Sequence, residues 1–100
     1  SVTVTPQLIR ELTAAHFRVD VESLFSRKRD KNTARARHIS IYLTREMTDL
    51  SLPQIGGLYG DRDHSTVINS IEHVSTRVNV DPEITTAVEK IRASVHTGTA

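Results

Sequence analysis

A chain of 100 residues with 37% hydrophobic and 25% charged side chains has the composition of one globular domain, large enough for a single core and too small for two. It holds no cysteine and no apolar run near the roughly 18 residues of a membrane span, which excludes disulfides, thiolate metal sites and a spanning helix within these residues. The formal net charge of +1 conceals an asymmetry, because Arg27, Lys28, Arg29, Lys31, Arg35 and Arg37 against Asp30 place +5 within eleven residues.

Thr5-Pro6 predicts a helix entrance, with Pro in the first turn where its missing N–H costs nothing. Leu8, Ile9, Leu12 and Ala15 continue it at helical spacing to about Phe17. Val19 to Phe25 predicts a single helical turn packed on the core, and Ser26 to Lys31 a basic loop. A second long helix begins near Asn32-Thr33, either of which can cap it. It carries one apolar stripe of Ile39, Leu43, Met47 and Leu50 and ends near Asp49, with Arg35, His38, Tyr42 and Arg45 off the stripe. Ser51-Leu-Pro-Gln54 supplies a capping residue, an early Pro and a Gln that completes a capping box. Ile55, Leu58 and Tyr59 follow as a short apolar face before Gly60, which suits a left-handed stop. Asp63 caps the next helix, spanning 63–78, with Val67, Ile68, Ile71, Val74 and Val78 on its apolar side. After a turn at Asn79-Val80, Asp81-Pro82-Glu83 opens the last helix, with Ile84, Val88, Ile91 and Val95 on one side and a frayed tail from Thr97. No segment alternates like a strand. The expected fold is all-α, a bundle of about five to six helices in one domain, 1–100. Ser1 in place of Met suggests a fragment of a longer protein.

A short helix, a glycine turn and a second amphipathic helix over Ser51–Val78 outline a helix-turn-helix, whose second helix enters the DNA major groove by its N-terminal end. That helix opens with Asp63-His64-Ser65-Thr66, which offers donors, acceptors and a methyl to base edges. In the plainer reading Asp63, Ser65 and Thr66 only cap the helix. The basic stretch lies upstream on a different element, which suits a division between phosphate contacts that position and base contacts that specify. Arg27, Arg29, Arg35, Arg37 and Arg45 are the expected phosphate neutralisers. Gln54 and Ile55, at a helix N-terminus, are expected to favour phosphate through their N–H groups.

Three stretches in order, Ala34-Arg-Ala-Arg-His-Ile-Ser-Ile-Tyr-Leu43, Leu52-Pro-Gln-Ile-Gly56 and Gly60-Asp-Arg-Asp-His-Ser-Thr-Val67, closely resemble the DnaA family of bacterial replication initiators, with the match running from about Thr5 to Val95. The resemblance implies the C-terminal DNA-binding domain of that family, a Trp-repressor-like helical fold that binds short asymmetric origin repeats called DnaA boxes. Carried over by position, His64, Ser65 and Thr66 contact bases in the major groove beside Asp63, and Pro53 touches a thymine methyl. Arg37, His38, Arg45 and Leu52 fall at positions that contact or approach phosphates. Lys31 stands where the family often has an Arg in the minor groove, and keeps the charge without the planar fork. Ser65 replaces a more usual Thr, and His38 a frequent Gln.

The sequence has no Gly-x-x-x-x-Gly-Lys-Ser/Thr loop, so ATP or ADP is expected on a missing ATPase domain and no cofactor on this one. Expected partners are double-stranded DNA with one monomer per site, the other domains of the initiator, and regulatory proteins, in the cytoplasm at the nucleoid. Acidic phospholipid, linked to the family near this domain's N-terminal edge, gains little support from one Arg in the first fifteen residues. The alternative function is a helical protein-interaction module with non-specific nucleic-acid affinity. An enzyme built on Asp61, Asp63 and His64 is disfavoured because Asp63 is needed as a cap and no second cluster accompanies it. RNA is disfavoured because its deep, narrow major groove excludes a recognition helix.

Overall fold

The computed structural model describes residues 4–97. Within them the chain forms five α-helices and one 3₁₀ turn, with no strand: α1 (Pro6–Phe17), the turn Val21–Phe25, α2 (Lys31–Met47), α3 (Leu52–Leu58), α4 (His64–Arg77) and α5 (Pro82–Thr97). No helix among these residues is long and apolar enough to cross a membrane. The tail beyond Thr97 lies outside the described residues.

α1 starts as the sequence predicts, with the Thr5 hydroxyl accepting from the Leu8 N–H at 3.1 Å. It stops at Arg18, which adopts the left-handed conformation at φ 56°. Its buried residues are Ile9, Leu12, Thr13 and Ala14, whereas Ala15 is exposed. The predicted stripe is therefore displaced at that position, because α1 packs on two fronts and Ala14 turns toward the second of two core clusters.

α2 departs most from its predicted form. It begins at Lys31 because Asp30, rather than Asn32 or Thr33, is the cap. One Asp30 carboxylate oxygen accepts from both the N–H and the hydroxyl of Thr33, at 3.0 and 2.9 Å, so Thr33 lies inside the helix. These bonds are also the main reason that the Asp30 pKa is lowered. The helix ends at Met47, two residues before the expected stop. Ile39 and Leu43 face one core cluster with Ile9, Val88 and Ile91. Ala36 and Ile41 face the other, with Leu24, Ile55 and Val67. A helix buried on more than one side shows more than one stripe, and α2 is the central post of the bundle.

Phe17 and Phe25 pack at the edge of the core. Both are half-buried, and Tyr59 is 0% exposed. Its hydroxyl lies 2.5 Å from Ser40 Oγ and 3.0 Å from Thr44 Oγ1, which removes the penalty of burying an unpaired phenol. Burial is the first cause of its raised pKa, against the hydrogen bonds from Ser40 and Thr44. Tyr59 thus fastens the end of α3 to α2.

Candidate nucleic-acid interface

The segment from α3 to α4 is built from interlocking local signals. Ser51 Oγ accepts from the Gln54 N–H at 3.2 Å, and Gln54 Oε1 accepts from the Ser51 N–H at 2.9 Å, completing the capping box. After α3 the chain reverses through Gly60 at φ 85° and Asp61 at φ 55°. The Arg62 N–H donates to Gly56 O at 3.0 Å. A Cβ on Gly56 would overlap the Arg62 carbonyl oxygen, so this close approach of turn to helix requires glycine. Arg10, from α1, donates to Leu58 O at 2.9 Å and lies over the Phe25 and Tyr59 rings at 5.4 and 5.9 Å.

At the start of α4, Asp63 caps the helix by accepting from the Thr66 N–H at 2.9 Å. That hydrogen bond is the leading cause of its lowered pKa. Asp63, His64, Ser65 and Thr66 are all exposed, and neither His64 nor Ser65 forms a side-chain hydrogen bond among the described residues. Pro53 is exposed at the start of α3. The helix tip therefore presents polar groups that the fold itself does not use.

Arg27, Lys28 and Arg29 line one side of a groove whose other side is Asp63, Thr66 and Ser70. All three cations are exposed. The groove also takes in Arg37, His38, Asp61 and Arg62. Two elements far apart in sequence thus meet at the tip of α4.

Several residues expected to contact phosphate have other employment. Arg37 is only 6% exposed. Its Nε donates to Leu24 O at 2.9 Å, and its Nη2 approaches the carbonyls of Ser23, Ser26 and Lys28 at 3.0, 3.2 and 2.9 Å. It gathers the backbone of the basic loop inward, which corrects its expected position on a phosphate. Burial lowers its pKa, with Asp30 opposing. Arg35 is tied to α5 by an ion pair with Glu83 and by Asp81 at 3.7 Å. Lys31, at the first position of α2, is exposed but lines a separate recess with Asn32, Arg35 and Glu83.

His38 Nδ1 lies 2.8 Å from Ser70 Oγ, and its ring centroid lies 4.6 Å from that of His73. Burial first, then the charges of His73, Arg37, Arg62 and Arg77, push its pKa down to about 4, so it meets any anion as a neutral imidazole at pH 7. The Gln54 N–H is spent on the capping box. The Ile55 side chain is fully buried, and its N–H donates to Ser51 O at 2.9 Å. The expectation that these two N–H groups are free for phosphate is therefore corrected. Leu52 is half-buried, and Arg45 is exposed while donating to Leu50 O at 3.0 Å.

Sequence reasoning gave no role to Arg62, although it sits inside the Gly60-Asp-Arg-Asp63 turn. Nor did it give one to the exposed Lys28 individually, or to Tyr59 beyond the apolar face of α3. Among the described residues no group of three His, Cys, Asp or Glu side chains comes together to hold a metal.

A capped short helix, a glycine turn locked against it, and a second helix with an unused polar tip define a helix-turn-helix domain. The family described as the bacterial dnaA protein helix-turn-helix matches residues 6–74, and the chain belongs to that family. It is similar to the chromosomal replication initiator protein DnaA of Citrifermentans bemidjiense, with 39% identity over 94 residues, 94% of this chain and 20% of that protein. The DnaA proteins of Caldanaerobacter subterraneus subsp. tengcongensis and of Geobacter sp. strain M21 are likewise 39% identical, over 92 and 94 residues, 92% and 94% of this chain and 20% of each protein. The chain spans about a fifth of the length of these curated relatives. The matched family is described as a helix-turn-helix.

Proposed function

We propose that this domain binds double-stranded DNA by sequence, at DnaA boxes of a replication origin, as the DNA-reading part of an initiator of chromosomal replication. α4 enters the major groove by its N-terminal end, where His64, Ser65 and Thr66 meet base edges beside Asp63, with Pro53 against a thymine methyl. Arg27, Lys28, Arg29 and Arg45 neutralise phosphates, Lys31 is the candidate for the minor groove, and Leu52 and His38 approach the backbone. Arg35 and Arg37 serve indirectly by shaping the loop and its surroundings. One domain occupies each asymmetric site, and its place in the cell is the cytoplasm at the nucleoid. ATP binding, contacts with regulators and any contact with acidic phospholipid belong to the longer protein.

The observation that carries this reading is the groove itself, in which Asp63 and Thr66 at the tip of α4, next to the exposed His64 and Ser65, face the exposed Arg27–Arg29 loop. Phosphate-positioning and base-reading groups need such adjacency, because both must reach the same few base pairs.

The test is fluorescence-anisotropy titration with a duplex holding one DnaA box and with a scrambled duplex, at several salt concentrations. Five exposed cations, Arg27, Lys28, Arg29, Lys31 and Arg45, set an expected slope of log affinity against log salt of roughly −4 to −5. His64→Ala is expected to cost about 1–3 kcal/mol on the box and little on scrambled DNA. Equal binding of the two duplexes that collapses with salt would leave only a cationic bundle, and absence of binding would favour a protein-interaction module.

A further inference from the structure

Resting on the reading of this face as a DNA interface, we propose that Arg62 is a positioning residue that fixes the basic loop in register with the recognition helix, so that its loss removes sequence discrimination before it removes DNA affinity. The loop from Ser26 to Asp30 has no regular structure of its own and carries three adjacent exposed cations. Left to itself, such a segment moves apart under its own repulsion. Arg62 stands in the helix-turn-helix turn, immediately before the Asp63 cap. One arm of its guanidinium, Nη1, donates to Tyr59 O in that turn. The other, Nη2, donates to Ser26 O in the loop at 2.9 Å.

The Ser26 carbonyl is also the acceptor for Arg37 Nη2 at 3.2 Å. A single loop carbonyl therefore receives one cationic donor from α2 and one from the turn that launches α4. The backbone makes the same junction independently. Gly60, at φ 85°, approaches so closely that a Cβ there would overlap the Phe25 carbonyl oxygen, one residue before Ser26. Burial, together with the nearby Arg37 and Arg27 charges, works against a guanidinium at this position, and the two carbonyls offset that cost.

The consequence follows from geometry. A base contact at the α4 tip and a phosphate contact from the loop form together only if their separation matches the DNA. Loosening one against the other leaves the cations free to find phosphates on any sequence, while joint engagement with the correct bases becomes rare. A lysine at this position keeps the charge but lacks the rigid fork that spans two carbonyls.

The absence of cysteine permits clean paired spin labelling at Lys28→Cys in the loop and Glu72→Cys on α4. Pulsed-EPR distances, measured without DNA, are compared with Arg62 intact and with Arg62→Lys. Unlabelled proteins are titrated with box and scrambled duplexes. We expect a narrow distance distribution that broadens in Arg62→Lys. We also expect at least a tenfold fall in box preference, with scrambled-DNA affinity within twofold and the salt slope unchanged. Far-UV circular dichroism verifies folding, and Arg62→Gln, which also lacks the fork, is the second variant should the first not fold. An unchanged distance distribution, or equal weakening on both duplexes, overturns the proposal. Unmodified protein that binds both duplexes alike overturns the DNA reading and Arg62's role in specificity with it, while the EPR result still decides whether the clamp exists.

Discussion

Arg37→Ala separates a scaffold from a contact. A surface arginine that meets phosphate is expected to leave stability nearly unchanged when truncated and to weaken binding to every sequence alike. The Arg37 guanidinium is instead buried against four carbonyls. Two of them, from Ser23 and Leu24, belong to buried residues, at 8% and 0% exposure, and have little access to water. The carbonyls of Ser26 and Lys28 lie in the loop and can rehydrate if it opens. Each buried acceptor left unpaired costs about 1–3 kcal/mol. Ser23 O keeps the Ser26 N–H and hydroxyl as donors, so the Leu24 carbonyl alone is orphaned and sets an expected loss of about 2 kcal/mol, to which the displaced apolar stem adds. For a domain of this size that corresponds to a fall in Tm of roughly 8–16 °C.

Urea unfolding followed by far-UV circular dichroism measures it, with the midpoint expected to fall and the slope to stay constant. Arg37→Lys should recover only part of the loss, because an ammonium group cannot span the same set of carbonyls. A loss below about 1 kcal/mol, accompanied by uniformly weaker DNA binding, would refute the scaffold role and return Arg37 to the phosphates.

Gly56→Ala should destabilise the domain by about 1–3 kcal/mol, because its Cβ would collide with backbone at Arg62, whereas Gly57→Ala, whose Cβ would meet nothing within 4 Å, should be neutral or slightly stabilising by thermal melt. His38 supplies a pH dependence. Its folded pKa of about 4 lies below the unfolded value of 6.5, so the unfolded chain binds the extra proton first, and the His38 contribution to stability is intact above 6.5 and lost as pH falls toward 4. Urea midpoints across that interval should fall with acidification more steeply than in His38→Gln, and identical profiles would remove His38 as the cause.

Helix count, most boundaries and the helix-turn-helix were legible in the sequence because they rest on local rules. Thr5, Ser51, Gln54 and Asp63 each satisfy a backbone N–H within four residues, Pro6 and Gly60 act through their own backbone conformation, and such signals survive in any tertiary context. The start of α2 lies one residue before the expected Asn32-Thr33. Asp30 is the better cap, because its carboxylate reaches both the N–H and the hydroxyl of Thr33. The second buried face of α2 was not legible, because Ala36, Ser40 and Thr44 are small or polar. Their burial depends on Tyr59 arriving from another helix with a hydroxyl that Ser40 and Thr44 can satisfy. Periodicity records what is apolar, and this contact is made by polar groups that satisfy one another.

The candidate site was legible by residue type and much less so by employment. His64, Ser65 and Thr66 are short or polar residues at a helix start, and the fold leaves them exposed. The arginines cannot be sorted this way, since a guanidinium has the same charge whether it faces solvent or donates to carbonyls inside the chain. Arg27 and Arg29 face outward, Arg35 holds α5, Arg37 gathers the loop, and Arg62 joins the loop to the turn. The inward arginines are not charge withdrawn from function. Because the Ser23, Leu24, Ser26 and Lys28 carbonyls are drawn inward onto Arg37, the intervening side chains of Arg27 and Lys28 are left in solvent, with Arg29 beside them. A loop that presents cations must first dispose of its backbone acceptors, which would otherwise bind those same cations. Buried guanidiniums dispose of them, so the inward arginines set the geometry in which the outward cations are presented.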